Sequence, residues 1–243
     1  MATLKGGAPA AIDRLVRAAA LLRDELEAFL LPLRCPSCGL GLDPDRALCE
    51  PCGAAVPRLD GAVCVRCLSA GKEPPGCLRE PGYRAYPAWV YDERAACAVH
   101  ALKFHGRPRV ATDLGRRIAN ALPSAYRPDL VLGVPLHPAR RRERGYDQAG
   151  LLAEATAKAL GCPRLEGSLE RVRPTRPQAR LDPRARRANL AGAFRVTEAR
   201  ALEGRTVLVV DDVITTGSTM EACLQALAAC GARATGAALA LSH

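Results

Sequence analysis

The sequence predicts an α/β fold, a parallel sheet with helices on both faces, preceded by a small cysteine-rich module. Three observations carry that expectation. From about residue 85 onward, short runs of Val, Leu and Ala alternate with segments of helical periodicity. Seven of the 11 cysteines fall between Cys35 and Cys77, mostly as C-x-x-C pairs. Apolar residues make up 49% of the 243, enough to bury a core and to exclude general disorder.

Residues 1–9 read as a frayed tail. In 10–31, Ile12, Leu15, Val16, Ala19, Leu22, Leu26 and Phe29 recur at three- and four-residue spacing, an amphipathic helix. It is expected to pack on the rest of the protein; a partner-binding or membrane-surface helix is the other reading. Residues 32–82 are rich in Cys, Pro and Gly and need a staple to fold. The expected units are therefore 1–31, 32–82 and 83–243. Within the last, strands are expected at 88–91, 130–136, 206–210 and 234–241. Helices are expected at 94–104, 110–122, 148–160 and 219–230, with an irregular Arg-rich stretch at 163–200. No apolar run approaches the ~20 residues of a membrane span. The apolar stretch 18–22 is too short for a secretory signal, which predicts a cytoplasmic protein with reduced thiols.

In that compartment the paired cysteines point to metal. Cys35 and Cys38 are followed by Gly39, and Cys49 and Cys52 by Gly53, with ten residues between the pairs. A knuckle that needs a positive φ after the second cysteine takes Gly without strain. Four thiolates suit a tetrahedral, structural Zn²⁺, with redox pairs or idle thiols as the competing readings. Cys64, Cys67, Cys77 and Glu80 form a less complete set, in which a Cys₃Glu site and a decayed one stay open.

Charge says less. Lys+Arg exceed Asp+Glu by 35 to 25, but only four of the basic residues are Lys. A surplus of +10 suits phosphate-rich partners and equally a solvated basic surface.

The sharpest signal is residues 207–219, VLVVDDVITTGST. A buried strand ends in two adjacent carboxylates, at the edge where open α/β sheets bind ligands. A loop of hydroxyl residues around one Gly then opens a helix. Its backbone N–H groups and the helix N-terminus form an anion cradle. Carboxylates beside such a cradle suit sugar hydroxyls, directly or through Mg²⁺.

This stretch resembles the phosphoribosyl-pyrophosphate motif of type I phosphoribosyltransferases. By that resemblance Asp211 and Asp212 hold the ribose hydroxyls. Thr215, Thr216, Gly217, Ser218 and Thr219 hold the 5-phosphate, with Val213 and Ile214 as further residues of the phosphoribosyl-pyrophosphate site. Val134, Pro135, Leu136 and His137, after the strand at 130–136, take the place of the pyrophosphate turn. Lys103, a rare Lys beside Phe104, and Arg144, in the basic run 140–144, are further candidates for the charged ligand.

Taken together, the chain resembles the ComF family, phosphoribosyltransferase-like proteins associated with DNA uptake in competence. The likeness covers roughly residues 25–243. It rests on the knuckles at Cys35/Cys38 and Cys49/Cys52, on Leu102-Lys103-Phe104 and on Arg144-Gly145-Tyr146-Asp147-Gln148. It continues through Gln178 and Leu181, Arg186 and Asn189, Ala193-Phe194 and the motif at 207–219. Tyr146 and Asp147 depart from the usual Arg-Gly-Phe-Asn-Gln, and Glu80 stands where longer members have Cys.

The resemblance implies a type I phosphoribosyltransferase-like fold and binding of phosphoribosyl pyrophosphate with Mg²⁺. It also implies a role in DNA uptake beside a competence helicase. Whether the protein turns the sugar over, binds single-stranded DNA or only senses the ligand is open at this point. Residues 140–190 carry 13 Lys+Arg against 6 Asp+Glu, which suits a backbone-tracking groove for single-stranded DNA. Only nine aromatics are available for base stacking. No residue set marks an acceptor for the transferred sugar.

Overall fold

The structure, a computed structural model, describes residues 33–70, 81–104, 108–136, 147–172, 190 and 192–242. The helix expected at 10–31, His137, Arg144, Cys77, Glu80, Gln178, Leu181, Arg186, Asn189 and the side chains of Lys103 and Phe104 lie outside the described residues.

A short helix α1 (Glu50–Ala55) is followed by β1 (Val63–Cys64) and α2 (Val65–Ser69). Then come β2 (Arg84–Val90), α3 (Glu93–Phe104), α4 (Ala111–Ala121), β3 (Leu130–Gly133) and α5 (Gln148–Leu160). A hairpin-like pair, β4 (Leu169–Arg171) and β5 (Phe194–Val196), precedes the short α6 (Ala199–Leu202). The chain closes with β6 (Thr206–Ile214), α7 (Ser218–Ala229) and β7 (Arg233–Leu241).

Five strands form one sheet in the order β1-β2-β7-β6-β3. Only β1 runs antiparallel to its neighbour; β2, β7, β6 and β3 are mutually parallel. The alternation along β6 shows both faces covered. Leu208 and Val210 join a buried cluster with Leu114, Ile118 and Leu152, from α4 and α5. Val207 and Val209 point the other way, into a cluster with Met220, Leu224 and Leu227 from α7.

The stretch 163–200, expected to be irregular, contains a second sheet. β4 and β5 pair antiparallel, Leu169 opposite Val196 and Arg171 opposite Phe194. The partners are far apart in sequence and each strand is three residues long, so no local period announces them. Arg171 also lies over the Phe194 ring, 5.6 Å from its centre.

Two helices meet without room for a side chain. A Cβ on Gly115 of α4 would lie 2.4 Å from the Ala155 Cβ of α5 and 2.8 Å from the Thr156 nitrogen. Thr156 Oγ1 donates to the Gly115 carbonyl at 3.4 Å across the same contact. Among the described residues no helix is long and apolar enough to cross a membrane.

Gly115→Ala is therefore expected to destabilise the protein by about 1–3 kcal/mol through overpacking. Urea denaturation checks this as a lower midpoint at unchanged slope.

Candidate functional site

β6 outruns one of its neighbours. Its ladder with β3 ends at Gly133 opposite Val210, with Val134 donating to the Val210 carbonyl at 2.9 Å. Beyond it, among the described residues, the ladder with β3 goes no further. On the other side β7 continues the pairing to Ile214 opposite Leu241, and Ser242 donates to the Ile214 carbonyl at 2.8 Å. This long partner is why the strand expected to stop at 210 runs on to Ile214. Asp211 and Asp212 thus stand within the strand, on the part that projects past β3. Both are half-buried. Asp211 Oδ1 accepts the Asp212 N–H at 2.8 Å, and Asp212 Oδ1 accepts the Val213 N–H at 2.7 Å.

The chain then turns at Thr215 and Thr216 into Gly217, which adopts φ 75° and caps α7. The helix expected from Thr219 starts one residue earlier, at Ser218. Thr216 Oγ1 and Ser218 Oγ lie 3.1 Å apart, and the Glu221 N–H closes the first turn onto the Gly217 carbonyl at 2.8 Å. Asp211, Val213, Ile214, Thr215, Thr216, Gly217, Ser218 and Thr219 surround one concavity of about 30 Å³, about the space of a single small ion or water. The Asp211 carboxylate, hydroxyls and the start of a helix converge there, a set that can accept from sugar hydroxyls and donate to an anion; Asp212 is not among the lining residues.

The residues after β3 are placed differently. Pro135 and Leu136 line a separate, larger cleft of about 880 Å³, between the β3 end and the β4/β5 pair. Its walls carry Arg164, Arg171 and Arg195 together with Asp147, Glu166 and Glu170. Arg195 is within 3.3 Å of Glu170, and Arg164 within 3.6 Å of Glu166 and of Glu154. Asp147, the departure from the family's Asn, caps α5 by accepting the Gly150 N–H at 3.0 Å. A carboxylate at a helix N-terminus is favoured by the dipole, so here the change has a local structural reason.

The four knuckle cysteines come together. The sulfurs of Cys35, Cys38, Cys49 and Cys52 all lie within 4.8 Å of one another, those of Cys38 and Cys49 3.5 Å apart. Burial works to raise the Cys35 thiol, but the backbone N–H groups of Cys49, Ser37 and Cys38 draw it down to about 6. Cys49 goes the other way: the Cys52 N–H lowers it, yet burial and the thiols of Cys38, Cys52 and Cys35 push it up to about 12. The Cys35 thiolate forms readily while Cys38 and Cys49 resist, which is the electrostatic situation a divalent cation relieves. An all-sulfur tetrahedral donor set fits a closed structural site.

The two knuckle glycines differ. Gly39 has φ 76°, as the knuckle reading expects, and its N–H donates to the Cys35 carbonyl at 2.8 Å. Gly53 does not need a positive φ. It lies in α1, and a Cβ there would meet the Arg117 guanidinium at 2.9 Å. Arg117 stacks 5.0 Å from the centre of the Trp89 ring and pairs with Asp113 at 3.3 Å. Gly53 is small so that this arginine can pass. Cys64 and Cys67 are buried, and among the described residues they join no group of three metal-capable side chains.

Sequence reasoning missed Ser69 and Glu221, both buried and hydrogen-bonded to each other. The one available signal was a Glu set among the apolar positions of α7.

A phosphoribosyl transferase domain matches residues 148–243. Over 206 residues the chain is 35% identical to the DNA utilization protein YhgH of Salmonella typhimurium, covering 82% of this chain and 85% of that protein. It is 34% identical over 137 residues to Competence protein F of Haemophilus influenzae, covering 54% and 60%. Competence protein ComFC of Bacillus subtilis is 22% identical over 193 residues, covering 74% and 77%.

Metal bound at the four sulfurs should be lost on acidification, as protons compete for the thiolates. Stripping it with a chelator should shift the fluorescence of Trp89, the chain's only tryptophan, and lower the melting temperature. Cys49→Ser should reproduce both effects without chelator.

Proposed function

This chain belongs to the ComF family, and from that premise we propose that its β6–α7 limb binds phosphoribosyl pyrophosphate with Mg²⁺ in a role in DNA uptake. The projecting end of β6, with Asp211 and Asp212 beside the Gly217 turn, is the observation that carries the reading. Asp211 and Asp212 accept from the ribose 2′- and 3′-hydroxyls. The N–H groups and hydroxyls of residues 215–219 hold the 5-phosphate, with Val213 and Ile214 lining the site. The pyrophosphate is assigned, by the family resemblance, to Val134, Pro135, Leu136 and His137, at the cleft that Pro135 and Leu136 line, with Lys103 and Arg144 adding positive charge. Carboxylate oxygens are hard donors that fit Mg²⁺, which would neutralise charge on the departing pyrophosphate. Zn²⁺ is the ion for Cys35, Cys38, Cys49 and Cys52, with a structural role.

A second activity, binding of single-stranded DNA, is favoured by the Arg-rich stretch 140–190. Its physics would be electrostatic. Among the described residues Trp89 and Phe194 are buried, and Tyr83, Tyr86, Tyr91 and Tyr126 are only partly exposed. None of these side chains is fully exposed, and the Arg66 guanidinium lies over the Tyr83 ring.

Calorimetry with phosphoribosyl pyrophosphate and Mg²⁺ should show binding that Asp211→Ala/Asp212→Ala weakens at least about tenfold. Pyrophosphate released in the presence of candidate acceptors, and lost in the same variant, identifies an enzyme; binding without release identifies a sensor. Oligonucleotide affinity should fall steeply with salt, as backbone neutralisation requires. A flat salt response removes the electrostatic groove.

A further inference from the structure

The phosphate loop does not stand by itself. Helix α2, from the cysteine-rich segment, touches it at two points. A Cβ on Gly217 would come within 2.8 Å of the Val65 carbonyl oxygen and 3.1 Å of the Leu68 Cβ. So α2 packs its backbone directly onto the turn, at a residue held at positive φ. One turn along α7, Ser69 Oγ donates to Glu221 Oε2. Ser69 is fully buried and Glu221 only 5% exposed. The Ser69 hydroxyl has one proton and two acceptors in reach, the Arg66 carbonyl at 3.1 Å and the Glu221 carboxylate, the stronger of the two.

Glu221 is tied to the loop by its own backbone, through its N–H on the Gly217 carbonyl at 2.8 Å. Its other oxygen accepts from Gln225 Nε2 at 3.4 Å. Among the described residues no cation pairs with it. A buried carboxylate held by a hydroxyl and an amide costs free energy, and truncating the hydroxyl leaves an oxygen unsatisfied beside the loop.

We propose that Ser69 and Glu221 are positioning residues for the anion site. Through them α2 fixes the first turn of α7 and the Gly217 turn in the conformation that presents N–H groups to a phosphate. The cysteine-rich segment is thereby part of the ligand site, although none of its residues touches the ligand. This rests on the reading of residues 215–219 as a phosphate loop.

The test uses the full zinc-loaded chain and measures binding of phosphoribosyl pyrophosphate with Mg²⁺ by calorimetry, alongside melting temperature. Ser69→Ala is expected to weaken binding roughly tenfold. Glu221→Gln, which can still accept from Ser69, is expected to retain most of the affinity and guards against a variant that fails to fold. In a double-mutant cycle on Ser69→Ala and Glu221→Ala, the losses in affinity should be less than additive, because both remove one contact. A Ser69→Ala protein that melts earlier but binds with wild-type affinity overturns the positioning role and leaves the ligand reading standing. Wild-type protein that binds no sugar overturns both.

Discussion

The unequal lengths of the strands beside β6 govern this structure. β3 stops pairing at Gly133, while β7 pairs on to Leu241. The consequence is a short projection of strand, laddered on one side only, that carries two carboxylates. Were β3 as long as β7, Asp211 and Asp212 would sit in mid-sheet, hemmed in on both sides. As it is, the backbone groups that β3 leaves unmatched are partly satisfied locally, each carboxylate accepting the next residue's N–H. The chain then has a sheet edge, two acids and a helix start within nine residues of one another, and the concavity at 211–220 follows.

Much of this was legible in the sequence, for physical reasons that differ by element. The apolar run at 207–210 has one stable environment, the middle of a parallel sheet, so β6 and the acids beyond it could be placed. The helix expected at 148–160 has those bounds in the structure, where Asp147 caps α5 and Gly161, at φ 68°, ends it. The paired cysteines announced their own convergence. What could not be read depends on partners distant in the chain. The length of β6 is set by β7, the β4/β5 pair joins segments separated by a long Arg-rich stretch, and Ser69 meets Glu221 only after the sheet has brought their helices together. Gly53 is the instructive case. Its position after a cysteine invited a local explanation, and the actual one is Arg117, a residue of α4.

The cysteine-rich segment is joined to the sheet through packing as well as through α2. Cys35, Leu48, Cys49, Cys52 and Val56 are buried in the same cluster as Trp89, Val99 and Leu102. The Arg117 guanidinium bridges the two, with the Trp89 ring on one side and the Gly53 carbonyl at 3.5 Å on the other. A metal ion at the four sulfurs would therefore stiffen one wall of the main core. On the opposite face, α2 rests on the Gly217 turn. The segment thus meets both faces of the sheet, a structural reason for it to travel with this fold rather than as a detachable appendage.

The account is tested most directly by amide NMR of the labelled, zinc-loaded protein titrated with phosphoribosyl pyrophosphate in magnesium buffer. It predicts that the amides of Thr216, Gly217, Ser218 and Thr219 move first and furthest, saturating together with those of Asp211 and Asp212. Shifts confined to other parts of the chain, or a spectrum unchanged at saturating sugar, would contradict it.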